Sequence, residues 1–343
     1  MLFYIIRRLL FLPLTLLGIS LIIFLMFMRL TPEQRVALYI TGPERLKGDS
    51  VERIIELHGL RDPWHLQYGR WIGNVVRGNL GWSTVGREPV FDALIRRFPY
   101  TLELAVLSGI PIILLGIWLG VLSATNHNRP LDHALRISAV VGWSFPDFVF
   151  GFFVMMIFYS ILGWFPPGTL SYEAGLIVRS EQFRIITGII TLDSLLNARF
   201  DVFLDAIRRL AGPVLTLTYL GFAYILRITR SAMLEVLEKD YVRTARAKGL
   251  AEGVVIYKHA RRNALIPVAT ESGQTIVALL GGTVIVETIF NRIGVGSFLA
   301  AAAQQLDFAS VIGGSLLFGV ILVIGNLLVD ISYTLIDPRI RLE

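Results

Sequence analysis

The 343-residue chain contains no cysteine. That excludes disulfides, thiolate metal sites and a cysteine nucleophile. Charge is also scarce. Only 17% of residues are charged while 54% are hydrophobic, and the mean hydropathy is +0.64. This is too apolar for a soluble domain of such size and points to a polytopic helical membrane protein. Catalytic signatures are missing as well. None of the five histidines (His58, His65, His127, His133 and His259) belongs to an H-E-x-x-H pair, so zinc proteolysis has no support. There is no G-x-S-x-G elbow. No G-x-x-x-x-G-K motif occurs, so the chain does not use nucleotide by the P-loop route. Gly294 and Gly296 lie in a glycine-rich stretch without a preceding strand, which is no dinucleotide fingerprint.

What is present is a series of apolar runs. Six spans are expected: Leu9 to Met28, Thr101 to Leu122, Ile137 to Leu162, Leu210 to Leu226, Ala264 to Phe290 and Phe308 to Ile331. Arg7 and Arg8 precede the first, which is too long for a signal sequence and has no small-residue cleavage site. The short segments around Arg129, Arg136, Arg339 and Arg341 are basic and should be cytoplasmic, which puts both termini inside. The net charge of +6 then reflects this bias, with no need for a nucleic-acid partner. The fold expected is all-α. A first helix (1–30) precedes an extracytoplasmic loop subdomain (31–100) and a five-helix core (101–343) with a cytoplasmic loop at 228–263. The outer loop is long and carries eleven Lys/Arg against eight Asp/Glu from Arg29 to Pro99. Charge orients mainly through shorter loops. Helical periodicity follows Ser50, and Trp64, Trp71 and Trp82 suit either a membrane interface or a small core.

Several residues stand out inside the spans. Gly116 and Gly120 have the spacing that lets helices approach closely. Ser144, Pro146 and Asp147 fall mid-span, and a charge there is costly. Asp147 either lines a translocation route or pairs with a neighbouring helix or a freed amide. Glu271 and Ser272 lie low in the fifth span and Glu287 near its outer end. With Ser144 and Asp147 they are the candidates for a path. Glu103 lies near the outer end of the second span and need not be deeply buried.

The most polar run among these apolar segments is Tyr241 to Val268. From Arg227 to Arg262 there are nine Lys/Arg and four Asp/Glu. A basic connector of this kind belongs in the cytoplasm. Arg243 to Lys248 favours helix, and Gly249 and then Gly253 interrupt it. Leu250, Val254, Val255 and Tyr257 fall roughly on one helical face. Two short helices with a glycine bend would present an apolar and basic surface, with Pro267 near the start of the next helix. The plainer reading is an ordinary positive-inside loop. Two classes fit: a membrane subunit driven by an external motor through this loop, or a self-contained secondary carrier or channel. No repeat between the two halves supports the second.

YVRTARAKGL followed by HARRNALIP resembles the cytoplasmic loop of ABC-importer permeases of the dipeptide, oligopeptide and nickel branch. YIIRRLL, YGRWIGNVVRGNLGWS, TLELA and GGTVIVETIFNRIGVG extend the resemblance to the B-type subunit over nearly the whole chain. Gly249 would be the signature glycine and Pro267 the closing proline. The segment Gly163 to Arg209 is longer than usual in this family. The resemblance implies a prokaryotic inner-membrane permease that is not itself an enzyme. It implies a second homologous permease, two ABC ATPase subunits that use ATP and Mg, and an extracytoplasmic binding protein. This chain would bind no cofactor or metal. Cargo would be peptides, nickel chelates or some sugars. The implied ATPase-coupling residues are Arg243, Ala245, Arg246, Lys248, Gly249, Val254, Val255, Tyr257, Lys258, His259, Asn263 and Pro267. The short helix would seat an apolar ridge of Val254, Val255 and Tyr257 in an ATPase cleft, and Arg243, Arg246, Lys248 and Lys258 would meet acidic partners.

Overall fold

A computed structural model describes residues 2–39 and 51–336. The N-cap expected at Ser50 and the basic tail from Asp337 lie outside these residues. The fold is all-α as expected, with one two-stranded antiparallel ladder, Trp82–Ser83 against Glu88–Pro89. Among the described residues five helices are long and apolar enough to cross a membrane, and a sharply bent pair makes six if it is counted as one span. Lipid offers no partners for backbone groups, so helices that satisfy their own are what the apolar runs can form.

Helix α1 (Leu2–Phe27) is followed by α2 (Pro32–Arg35), α3 (Val51–His58) and α4 (Trp64–Val76). Trp71 is buried there against Phe24, whereas Trp64 is exposed. The Trp-core reading therefore holds for Trp71. Helix α5 (Val90–Thr125) and α10 (Phe200–Leu237) form the central pair. Between them come α6 (Pro130–Ser144), α7 (Asp147–Val154, continued as a π-helix over Met155–Ile161), α8 (Tyr172–Val178) and α9 (Ile190–Leu196). After α10 come α11 (Asp240–Ala247) and α12 (Glu252–Val254). A π-helical turn (Val255–Ala260) leads into α13 (Arg261–Gly282), then α14 (Val284–Ile289), α15 (Val295–Gln304) and α16 (Phe308–Ile336).

Three expected spans take different shapes. The third is not one helix: α6 and the helix from Asp147 to Ile161 meet at 106°. Pro146 cannot donate a backbone hydrogen bond, and it drives Phe145 out of helical space to ψ 130°. The fourth span is much longer than Leu210 to Leu226. Helix α10 has 38 residues, about 57 Å at 1.5 Å per residue, so it projects well beyond a core of about 30 Å. The fifth breaks at Thr283 between α13 and α14.

The α5–α10 contact is made at glycines. A Cβ on Gly116 would lie 2.5 Å from Ile225 Cβ, and one on Gly120 would lie 2.5 Å from Thr229 Cβ and 2.9 Å from the Leu226 carbonyl. The anticipated glycine pair therefore sets the approach of the two backbones. Helices α13 and α16 pack reciprocally, Gly273 against Val329 and Gly325 against Val277. They run antiparallel, as do α1 and α16, where Gly319 receives Ile19.

At the end remote from Tyr241–Val268, buried carboxylates tie the loops to the helices. Glu103 is 3% exposed, a departure from its expected shallow position. It pairs with Arg292 and accepts hydrogen bonds from the Thr191 amide and hydroxyl. The reach of Arg292 from the 291–307 segment explains the burial, since an unpaired carboxylate there would be far too costly. Glu287 accepts from Thr101, Thr283 and the Ser297 amide. Asp307 accepts from Ser83, the Val85 amide and both donors of Ser310. Burial pushes the Asp307 carboxyl up, but these four hydrogen bonds hold it below the usual carboxylate range.

Two outcomes follow from this packing. Gly120→Ala should cost about 1–3 kcal/mol, because its methyl meets Thr229 with no room to move; denaturant unfolding in detergent would measure it. The stabilisation from Asp307 should be complete above about pH 4, the unfolded carboxylate pKa. It should be lost as pH falls through the depressed native value. Asp307→Asn should therefore be less stable than the parent at pH 7, and the gap should close in acid.

Candidate functional site

The basic loop folds into a bend between α11 and α12. Helix α11 ends in a glycine-stopped turn: the Gly249 amide donates to the Arg246 carbonyl (2.9 Å) and the Leu250 amide to the Ala245 carbonyl (3.4 Å). Gly249 has φ +74°, and nothing stands within 4 Å of where a Cβ would be. Its requirement is one of backbone conformation, not of space. The two-helix bend is as expected at Gly249. Gly253, by contrast, lies inside α12 and interrupts nothing.

The bend is fastened to the central helix. Val242, Ala245 and Val255 are buried together against Val236 and Leu237 of α10. The sequence places Val254, Val255 and Tyr257 on one outward ridge, and the structure divides them. Val255 is fully buried, whereas Leu250, Val254 and Tyr257 are 40%, 41% and 57% exposed. The π-turn causes the division: Val255 and Ala260, five residues apart, both point inward. The cations divide too. Arg246 bridges the bend to Glu252 (2.7 Å) and Arg243 lies 3.5 Å from Asp240, while Lys248 and Lys258 have no ion pair among the described residues. Asn263 donates to the Tyr241 hydroxyl (3.0 Å) and to the His259 carbonyl (3.1 Å). Pro267 is interior to α13, not at its start.

A second constellation lies in the membrane-spanning part. A cleft of about 660 Å³ is lined by Trp143, Asp147, Tyr224, Glu271 and Gln274 among apolar side chains. The bend at Pro146 places Asp147 at the start of α7, exposed and without a hydrogen bond or ion pair among the described residues. That disfavours the reading of Asp147 as a paired structural carboxylate. Glu271 accepts from the Tyr224 hydroxyl at 2.7 Å. Tyr224 stacks on Trp143 with centroids 5.8 Å apart. The Arg227 guanidinium sits over both rings, at 5.1 Å from Trp143 and 5.7 Å from Tyr224. Trp143 also walls an adjoining hollow of about 410 Å³ with Arg136, Ser144, Arg227 and Arg230.

The structure thus brings Asp147 and Glu271 together and sets Ser144 in the adjoining hollow. Ser272 and Glu287 fall elsewhere. Ser272 is buried and donates to the Val268 carbonyl of its own helix. Glu287 belongs to the remote cap. Tyr224, Trp143 and Arg227 were not singled out from sequence, although Tyr224 and Arg227 stand one helical turn apart in a largely apolar segment. The Asp132–Arg230 pair was also missed. Asp132 is fully buried, holds Arg230 by two 2.8 Å hydrogen bonds and accepts from Ser123. It locks the start of α6 to α10. No group of three or more metal-ligating side chains occurs among the described residues.

Comparison with known proteins agrees along the whole length. Residues 112–342 match the family of binding-protein-dependent transport system inner membrane components. Residues 1–105 match the N-terminal part of such membrane components. The oligopeptide transport system permease protein of Bacillus subtilis is 38% identical over 98% of this chain and 99% of its own. The di/tripeptide transport system permease of Pseudomonas aeruginosa is 39% identical over 99% of both. The dipeptide transport system permease of Escherichia coli K12 is 36% identical, again over 99% of both.

At the bend, Gly249→Ala should destabilise the α11–α12 element by about 1–2 kcal/mol through left-handed strain alone, and Gly249→Asn by less. Hydrogen exchange over 240–260 would read both.

Proposed function

The chain belongs to the family of binding-protein-dependent transport system inner membrane components, and from that premise we propose that it is a permease subunit of an ATP-driven peptide importer. Its relatives over 98–99% of the chain carry di-, tri- or oligopeptide permease names, which supports peptide cargo. In this reading a loaded binding protein docks on the remote cap. A second homologous permease completes the path, and two ATPase subunits, which use ATP and Mg, lie beneath the bend.

The observation that carries this reading is the way the bend is built. One side is bolted to α10 through Val242, Ala245 and Val255, and the other side presents Leu250, Val254 and Tyr257 beside Lys248 and Lys258. An exposed apolar surface rimmed by cations is an interaction surface. An ordinary topological loop has no need of it. Because α11 and α12 are fixed to one continuous 38-residue helix, a push on the bend is delivered to α10 as a rigid body. Arg246 stiffens the bend through Glu252 and does not serve as a free docking cation; Lys248 and Lys258 fill that role. In this frame the termini and the bend are cytoplasmic, and Asp147 and Glu271 line the path. The alternative is a secondary carrier, with those two acids as ion-coupling groups.

Affinity purification of the tagged chain in mild detergent should bring along a P-loop ATPase and a second six-span permease. Val254→Asp with Tyr257→Ala should reduce ATPase recovery at least tenfold while the two permeases stay together. Gly249→Pro should assemble poorly or hydrolyse ATP without transport. A folded chain that purifies alone and shows ATP-independent flux would establish the secondary carrier instead.

A further inference from the structure

The cleft and the adjoining hollow share Trp143 and have opposite charge. The hollow, nearer the bend, holds Arg136, Arg227 and Arg230. The cleft, further from the bend, holds Asp147 and Glu271. Arg230 is committed to Asp132. Arg227 is not committed: among the described residues its guanidinium makes no hydrogen bond or ion pair and lies over two aromatic rings. Stacking uses the flat face of the group and leaves its N–H donors available at the rim. On the acidic side, Asp147 has no partner among the described residues, and Glu271 uses only Oε2, on Tyr224. A surface with two such carboxylates and an arginine does not face hydrocarbon, because each charge there is too costly. It faces water, cargo or a second protein.

We propose that this polarised cleft holds a zwitterionic peptide by its two ends. Arg227, assisted by Arg136, takes the terminal carboxylate, and Asp147 and Glu271 take the terminal ammonium. The inference rests on the peptide-importer reading and adds the groups that recognise the cargo within the membrane. The spacing suits it. The Arg227 guanidinium lies 5.7 Å from the Tyr224 ring centroid and the Tyr224 hydroxyl 2.7 Å from Glu271, so a single tyrosine stands between cation and acid. An extended dipeptide spans at most about 7 Å between its ends, so both charged termini can be met at once with side-chain reach to spare. Longer peptides keep one terminus and run on along the cleft. The walls are apolar and wide: Ile112, Leu217, Leu220, Ala278 and Leu279 line the larger part. Such walls accept varied side chains without hydrogen-bond demands, so selection falls on the charged ends. The aromatic pair sets the geometry. Trp143 and Tyr224 fix Arg227 by stacking, and Tyr224 fixes Glu271 by its hydroxyl, so cation and anion are held at a constant separation before cargo arrives.

The test uses the full transporter in liposomes, with its partner permease, ATPase subunits and binding protein, and dialanine as the probe. The readout is dialanine taken up per ATP hydrolysed. Arg227→Gln should lower that ratio about tenfold, the loss expected for one charge-assisted hydrogen bond. Arg227→Lys, which keeps the charge, should recover most of it. Asp147→Asn combined with Glu271→Gln should lower the ratio to a similar extent. A ratio unchanged in both the Arg227→Gln and the doubly neutralised complex overturns the proposal. So does failure of these variants to assemble with the partner permease, which would assign the charges to the subunit interface. A parent complex that hydrolyses ATP in response to loaded binding protein but moves neither dialanine nor pentaalanine would remove the peptide-importer reading itself, and the two failures are therefore distinguishable.

Discussion

The contact between α5 and α10 organises the molecule. Two helices of 36 and 38 residues lie against each other where Gly116 and Gly120 carry no side chain. In lipid there is no hydrophobic gain in bringing two apolar helices together, so association depends on close van der Waals fit and on polar pairs. The glycines provide the fit. The Asp132–Arg230 pair then pins α6 to the bend end of α10, and the carboxylates of the remote cap pin the loops at the other end. Because α10 is continuous through both regions, the bend, the cleft and part of the cap share one stiff element.

That continuity gives the cleft its mechanical meaning. Tyr224 and Arg227 lie on α10 about three and a half and three turns before Leu237, where the bend is bolted on. A rotation of α10 imposed at the bend therefore moves the groups that face the cleft. Asp147 sits on a different helix, the short α7 beyond the Pro146 break. Relative motion of α10 and α7 changes the distance between acid and base. In the proposed reading, a path with its charges on two helices can hold a cargo in one state and release it in another, which is what alternating access requires.

Much of this architecture is legible in the chain itself. The apolar runs announce the spans, since about 20 such residues have few other stable fates. Gly249 announces the bend, because α11 stops in a conformation that glycine adopts without strain. Gly116 and Gly120 announce a close approach. Less legible are the phase and the breaks. Val255 reads as part of an exposed ridge at ordinary helical spacing, yet a π-turn rotates it into the core. Ile137 to Leu162 reads as one span, yet Pro146 folds it by 106°. In each case a one-residue change in backbone geometry redirects every side chain after it, and periodicity averaged over a segment does not register such a change.

The sequence by itself determined the class: an apolar, cysteine-free, nucleotide-motif-free chain with one basic loop among its apolar runs, built to sit in a membrane. Those properties are sums over residues or local conformational demands, and neither depends on what packs against what. Only the tertiary structure decided which charges work together. Glu103 found Arg292, 189 positions away, and became part of the cap. Glu287 did the same with Thr101. Asp147, Glu271 and Tyr224, drawn from three separate helices, were left lining one cleft, with Arg227 in the hollow beside it. Pairing across such distances in sequence depends on helix phase, on a proline break and on a glycine contact all at once. A charge's partner is therefore a property of the packed bundle, and the surplus charges that remain for function emerge only after the structural pairs have formed.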